Sequence, residues 1–217
     1  MSDRESILGA IKAANRSAQF AVDQIEKEAA DLVANPEEVQ PKFEGVSLLD
    51  RFIAKATSER VTATVDQVVD MADVPVIVSE YLSQAAQNGA VTVQESGPLD
   101  EMDWSKLNRT SVLAEDGGIA VTLAEFGIAE TGSVVFRSGS HGPILQNFLP
   151  LYHIVVLKAS TLLAYPEDLW SHLGGKSAPQ SRLLTIVTGT SGTADIEAKN
   201  VRGAHGPRFM HIIVVLD

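Results

Sequence analysis

The chain has 217 residues, 45% of them hydrophobic, enough for the core of one large domain. Its 28 acidic and 17 basic residues give a formal net charge of −11, which disfavours nucleic acid and anionic membranes as partners. Cysteine is absent, which excludes disulfides, thiol nucleophiles and cysteine-ligated zinc or iron–sulfur clusters.

The N-terminus opens with Met1-Ser2-Asp3-Arg4-Glu5, and no apolar core of a signal peptide follows. The longest apolar runs, at 154–157 and 212–216, fall far short of the roughly 20 residues that span a bilayer. A cytoplasmic protein without a membrane segment is expected. Ser2 and Glu5 stand at capping-box spacing. Ile7, Ile11, Ala14, Ala18, Val22, Ile25, Ala29 and Leu32 then recur every three or four residues, which predicts one amphipathic helix ended by Asn35-Pro36. Its small-residue stripe suits packing on its own domain or on a partner chain. With the acidic, proline-bearing linker behind it, this helix forms an arm over 1–45, ahead of an α/β domain over 46–217.

A second helix is expected from Ser47, with Leu48, Leu49, Phe52, Ile53 and Ala56 inward and Arg51, Lys55 and Arg60 outward or at the rim. Residues 61–65 read as a β-branched strand, 66–71 as a short helix, and 74–87 as a helix stopped by Asn88-Gly89. A strand at 90–94 and a surface helix or loop at 100–107 follow. This alternation predicts βα units and a mainly parallel sheet. In the second half, 119–123 and 133–136 read as strands around the turn 127–132. Then come a short helix at 141–148, a strand at 152–157 and a helix at 166–173. The unalternating run 183–187 reads as a strand buried on both faces, and 209–216 closes the chain as the last strand.

Three loops carry the candidate chemistry. In Ala129-Glu130-Thr131-Gly132 a glutamate sits on a turn between strands; partial burial would raise its pKa and suit it to act as base or nucleophile. The alternative is a turn that uses Glu130 as a structural acceptor. The second loop joins Thr188, Gly189, Thr190, Ser191, Gly192, Thr193, Asp195 and Glu197 behind the buried strand. Backbone N–H groups and hydroxyls there can hold an anion, although the loop lacks the Gly-Lys-Ser/Thr ending of a phosphate-binding P-loop. A plain Gly/Ser/Thr turn is the other reading. The third loop places His205 between glycine and proline, with Gly206 behind it and Arg202 and Arg208 on its flanks. Histidine moves protons near neutral pH, and the arginines suit a carboxylate or phosphate; the bland reading is a surface loop entering the last strand. No pair of histidines has the spacing of a helical zinc motif, so no metal site is expected; an Asp195/Glu197/His205 set would need the fold to assemble it.

The segments Gly127-Ile128-Ala129-Glu130-Thr131-Gly132-Ser133, Leu149-Pro150 with His153-Ile154, 189–197 and Gly203-Ala204-His205-Gly206-Pro207 occur in an order that resembles the lactate-utilisation protein C family, also called the YkgG or LUD-domain family. The resemblance is specific from about Gly118 onward and looser from Ser47. It implies a three-layer α/β/α fold like that of CoA transferases, ribose-5-phosphate isomerase and glucosamine-phosphate deaminase. It also implies a part in oxidising L-lactate to pyruvate, together with two iron–sulfur proteins. Under it this chain holds no cofactor of its own, and the clusters sit on the partners. Gly192 and His141 depart from the pattern, where a larger, often basic residue and an arginine are expected.

Three functions are consistent with these residues. The first is a subunit that handles a small carboxylate or nucleotide-like ligand in lactate oxidation, with Glu130 and His205 as catalytic groups. Thr131, Gly132, Gly189, Thr190, Ser191, Gly192, Thr193, Asp195, Glu197, Gly206 and Arg208 would then bind the ligand. The second is a stand-alone enzyme acting on CoA esters or sugar phosphates. The third is a non-catalytic assembly module docking through its helical arm. A homo-oligomer fits all three.

Overall fold

The protein is described by a computed structural model covering residues 3–14, 21–95, 97–114, 117–139, 142, 144–174, 179–196 and 199–217. It divides into two compact units, Met1–Phe43 and Glu44–Asp217. The first holds α1 (Asp3–Ala14) and α2 (Val22–Ala34). Ala21 is extended at φ −61°, ψ 140° and opens α2 as a helix with its own start, so the expected single helix is not continuous. Ser2 and residues 15–20, part of that expectation, lie outside the described residues.

The second unit runs through α3 (Leu48–Ala56), β1 (Thr64–Val68), α4 (Val74–Gln84), β2 (Val91–Val93), β3 (Arg109–Thr110) and β4 (Ile119–Leu123). It continues with β5 (Phe126–Ile128), β6 (Ser133–Arg137), β7 (Tyr152–Lys158), β8 (Leu162–Leu163), α5 (Asp168–His172) and β9 (Leu184–Val187). It ends with β10 (Gly192–Ile196), β11 (Lys199–Arg202) and β12 (Phe209–Val215). Six strands form one sheet in the order β1-β12-β7-β4-β2-β3, every pair parallel. A parallel sheet needs both faces covered, because its crossovers place elements on each side. Val74, Val78 and Leu82 of α4 cover one face, packing with Val121, Ile154 and Ile213. Phe52 and Ala56 of α3, with Val134 and Phe136, cover the other over Val155, Ile212 and Val214. Val134 and Phe136 belong to a smaller sheet, β8-β5-β6-β9, whose far side packs through Ile128 and Val135 on Leu169 of α5. The result is the expected three-layer α/β architecture around a parallel centre.

Several local expectations gave way to tertiary pairing. Residues 66–68 are strand, not helix, because Asp66, Gln67 and Val68 pair with Ile213, Val214 and Val215. The strand begins at Thr64 rather than 61, after Thr62 turns through φ 62°. Helix α4 stops at Gln84, and Ala86 (φ 53°), not Gly89, takes the left-handed position behind it. Arg51 faces inward at 8% exposure, its guanidinium 5.6 Å from the centre of the Tyr165 ring. Such a stack lets a planar cation be buried where an ammonium is not. Leu48 is exposed. The run at 183–187 is not buried on both faces: β9 is an edge strand antiparallel to β6, and Leu183 and Ile186 are exposed. Residues 119–123 and 133–137 belong to different sheets; the hairpin partner of β6 is β5.

Two glycines fasten the loops to this frame. Gly132 (φ 71°) closes the β5–β6 turn so near α3 that a Cβ would stand 2.5 Å from the Ala56 nitrogen. Gly189 (φ 77°) follows β9, and a Cβ there would overlap the Val61 carbonyl. Gly189→Ala combines left-handed strain with overpacking and is expected to cost about 2–4 kcal/mol. Gly45→Ala, at φ 74° with open space around it, meets only the strain, about 1–2 kcal/mol. Urea unfolding of both variants measures the difference; equal losses would contradict the close approach to Val61.

Candidate functional site

Parallel strands all enter at one rim of the sheet and leave at the other. At the entering rim, a cavity of about 590 Å³ is lined by Thr62, Thr64, Tyr81, Thr190, Arg202 and Arg208, among others. Thr64 and Phe209 are the first residues of β1 and β12, and Tyr81 comes from the last turns of α4. Thr190 is held in place from both sides: its N–H donates to the Val61 carbonyl at 3.1 Å, and its hydroxyl lies 2.5 Å from that of Thr62. A neighbouring groove adds Arg60, beside Glu59, Gly192 and Arg202 again. Among the described residues, Arg60, Arg202 and Arg208 form no salt bridge, although Arg208 lies over the Phe209 ring. Three guanidiniums and four hydroxyls therefore meet at one rim of a chain whose net charge is −11.

Two of the lining residues, Thr64 and Tyr81, contact a buried histidine. His211 on β12 is the register partner of Thr64 on β1, and its Nδ1 lies 2.8 Å from Thr64 Oγ1. Its Nε2 faces Asp66 Oδ2 at 3.5 Å, and Tyr81 stacks on the ring at 4.1 Å. Burial pushes His211 down to about 4, against the opposing pull of Asp66, so the ring is neutral at pH 7. Burial also raises the Tyr81 phenol.

The loops named from sequence are brought together in part. Ser191 donates its N–H to the Pro207 carbonyl at 2.8 Å and accepts from Gly203 N–H at 3.0 Å, so the second and third loops touch. A Cβ on Gly206 would stand 3.1 Å from that of Ser191. His205 and Gly206 line a separate groove with 148–151. The first loop reaches the second through hydroxyls: Thr131 Oγ1 is 2.7 Å from Ser133 Oγ, which is 2.7 Å from Thr188 Oγ1. Glu130 does not share the arginine-lined cavity or the His205 groove. Its carboxyl is raised by burial and by Glu167, with Arg51 and Lys55 pulling the other way. Residues 192–196, expected as loop, are strand β10 in a hairpin with β11, where Thr193 pairs with Val201. The second loop follows an antiparallel edge strand and not the exit of a parallel one. The side chain of Asp195, and Glu197 and His141 entirely, lie outside the described residues. Among the described residues no cluster of His, Cys, Asp and Glu could hold a metal ion, and no helix is long and apolar enough to cross a membrane.

Sequence reasoning missed the exit rim. There a cavity of about 540 Å³ is bounded by Gln94 behind β2, Thr122 and Glu125 at the end of β4, Arg137, and the buried Asn147. Arg137 pairs with Glu125, which holds its guanidinium pKa above the ordinary value. Thr122 Oγ1 lies 2.8 Å from Nε2 of His153, a wholly buried ring pushed down to about 3. Periodicity gives no sign of it, since its polar residues come from five separated segments.

Residues 49–215 match the family model described as LUD domain. The chain is 28% identical over 162 residues to Lactate utilization protein C of Halalkalibacterium halodurans, covering 73% of this chain and 70% of that protein. It is 36% identical over 107 residues to Uncharacterized protein YkgG of Escherichia coli, covering 48% and 46%. A crystal structure of a DUF162 family protein from Deinococcus radiodurans superposes with a TM-score of 0.56 at 18% identity, over 77% of this chain and 96% of that one.

The two buried imidazoles give the stability a pH dependence. Each titrates near 6.5 when unfolded and far lower when folded, so between about pH 6.5 and 4 the unfolded chain binds more protons. Stability is full above about pH 6.5 and falls as the pH drops toward 4. Denaturant unfolding from pH 7.5 to 5 is expected to show that decline, and His211→Gln to make it shallower. A variant curve parallel to that of the parent would contradict the burial of a neutral ring.

Proposed function

The chain belongs to the LUD domain family, and from that premise we propose that it serves lactate utilisation by binding a small carboxylate or nucleotide-like anion at its arginine-lined rim. The relatives named Lactate utilization protein C support the process. The observation that carries the ligand class is the grouping of Arg60, Arg202 and Arg208 without carboxylate partners among the described residues, beside Thr62, Thr64, Thr190 and Tyr81. Guanidinium groups bind carboxylate and phosphate through paired N–H donors, and threonine hydroxyls add donors at the same oxygens. Mutual repulsion of like charges is relieved when an anion enters. The partners in this reading are two iron–sulfur proteins that carry the electrons, while this chain, without cysteine, holds the anion.

The test has two arms. Lactate-to-dye electron transfer is measured with the two iron–sulfur partners, with and without this chain, and is expected to require it; equal rates without it overturn the role in the process. Titration of the isolated chain with L-lactate, pyruvate and AMP is expected to give saturable binding. Arg202→Gln and Arg208→Gln should each weaken it about tenfold, while Lys106→Gln, an exposed lysine elsewhere, should not. Loss of affinity in the lysine variant alone, or in none, overturns the site.

A further inference from the structure

We propose that the exit-rim cavity is a second binding site, and that its ligand is a small uncharged molecule bearing adjacent hydroxyl groups. Four observations lead there. The first is Asn147, which is 5% exposed, lines the cavity, and makes no side-chain hydrogen bond among the described residues. A carboxamide on an otherwise buried side chain needs partners, and the cavity that it lines is where its donors and acceptor can meet them.

The second is the proton of His153. Its Nδ1 is buried and has no hydrogen-bond partner. A buried N–H without an acceptor costs more than a bare lone pair, so the proton belongs on Nε2. Nε2–H then donates to Thr122 Oγ1, 2.8 Å away. Thr122 can no longer spend its own proton on the imidazole, and its O–H is available to an acceptor in the cavity.

The third is charge. Glu125 and Arg137 neutralise one another at the mouth, with side chains 31% and 41% exposed. Unlike the entering rim, this cavity offers no unbalanced cation among the described residues, so these have little to attract an anion in a chain of net charge −11. The pair still offers a carboxylate lone pair and guanidinium N–H groups at its edges.

The fourth is the mixture of groups. Donors (Thr122 O–H, Asn147 Nδ2) and acceptors (Asn147 Oδ1, Glu125) line the cavity together with the apolar Leu123 and Phe136. A hydroxyl both donates and accepts, so neighbouring hydroxyls on a carbon skeleton match that mixture where a carboxylate, which only accepts, does not. The volume of about 540 Å³ lies within the usual range of small-molecule sites, about 300–1,000 Å³. The same diol could be that of a free polyol or that of the ribose of a nucleoside.

Ligand-observed NMR on the full chain, with xylitol and with adenosine as probes, tests this and distinguishes the two sources. Saturable binding of at least one is expected, undiminished by excess L-lactate. Asn147→Ala and Thr122→Val should weaken it about tenfold or more. Glu125→Gln, at the exposed mouth, should weaken it with the melting temperature little changed, and so keeps the test open where the buried variants fail to fold. The proposal is overturned if neither probe binds, if L-lactate displaces them, or if Glu125→Gln binds as the parent does. Each of these leaves the arginine-lined rim untouched, since Arg202→Gln and Arg208→Gln are read on the anions alone.

Discussion

Seven residues, Phe209–Val215, hold the parallel sheet together. β12 pairs with β1 on one side and β7 on the other, and Ile212, Ile213 and Val214 within it are fully buried. Without it, β1 has no neighbour and the entering rim loses Phe209 and Met210 at its floor. Each parallel pairing also needs a long crossover, so the sheet cannot assemble from local hairpins. The same topology collects residues from before β1, from the end of α4 and from before β12 at one place. The arginine-lined cavity is therefore a consequence of where the last strand inserts.

The two rims differ in electrostatics but share a device. Each has a threonine hydroxyl held 2.8 Å from a buried imidazole: Thr64 by His211 and Thr122 by His153. Burial keeps both rings uncharged through the neutral range, so neither hydroxyl changes partner there. At the entering rim arginines outnumber carboxylates among the described lining residues. At the exit rim Glu125 pairs with Arg137, and the remaining polar groups among the described lining residues are neutral donors and acceptors. One sheet thus carries unpaired arginines among the described residues at one end and a paired arginine with neutral polar groups at the other.

Glu130 shows how far a motif can be read and where the reading stops. Its place on a turn between strands follows from the glycine-bounded segment itself, whereas its raised pKa comes from burial and from Glu167. Its neighbours Arg51, Lys55 and Glu167 come from α3 and from before α5, and none was legible beforehand. Arg51 was expected outward or at the rim of its helix because arginines usually lie there; Tyr165, 114 positions away in the chain, gives it a ring to lie on. In the same way, Thr190 and Arg208 stood out as ligand groups, but Thr62, Thr64, Tyr81 and Arg60 did not, since nothing local marks a threonine or tyrosine as facing a cavity.

By itself the sequence determined the class of fold, the parallel centre, the strands at 119–123, 152–157 and 209–215, and the helix capped by Ser47. These rest on apolar periodicity and caps, which act over a few residues. Only the tertiary structure decided that 66–68 pair as strand, that β9 runs at an edge, and that the second loop faces the entering rim. Pairing with a distant strand is worth more than the local preference of three residues, and a short apolar run cannot say how many neighbours it will have. The exit-rim cavity belongs to the same class, because its walls are set by which strands lie side by side.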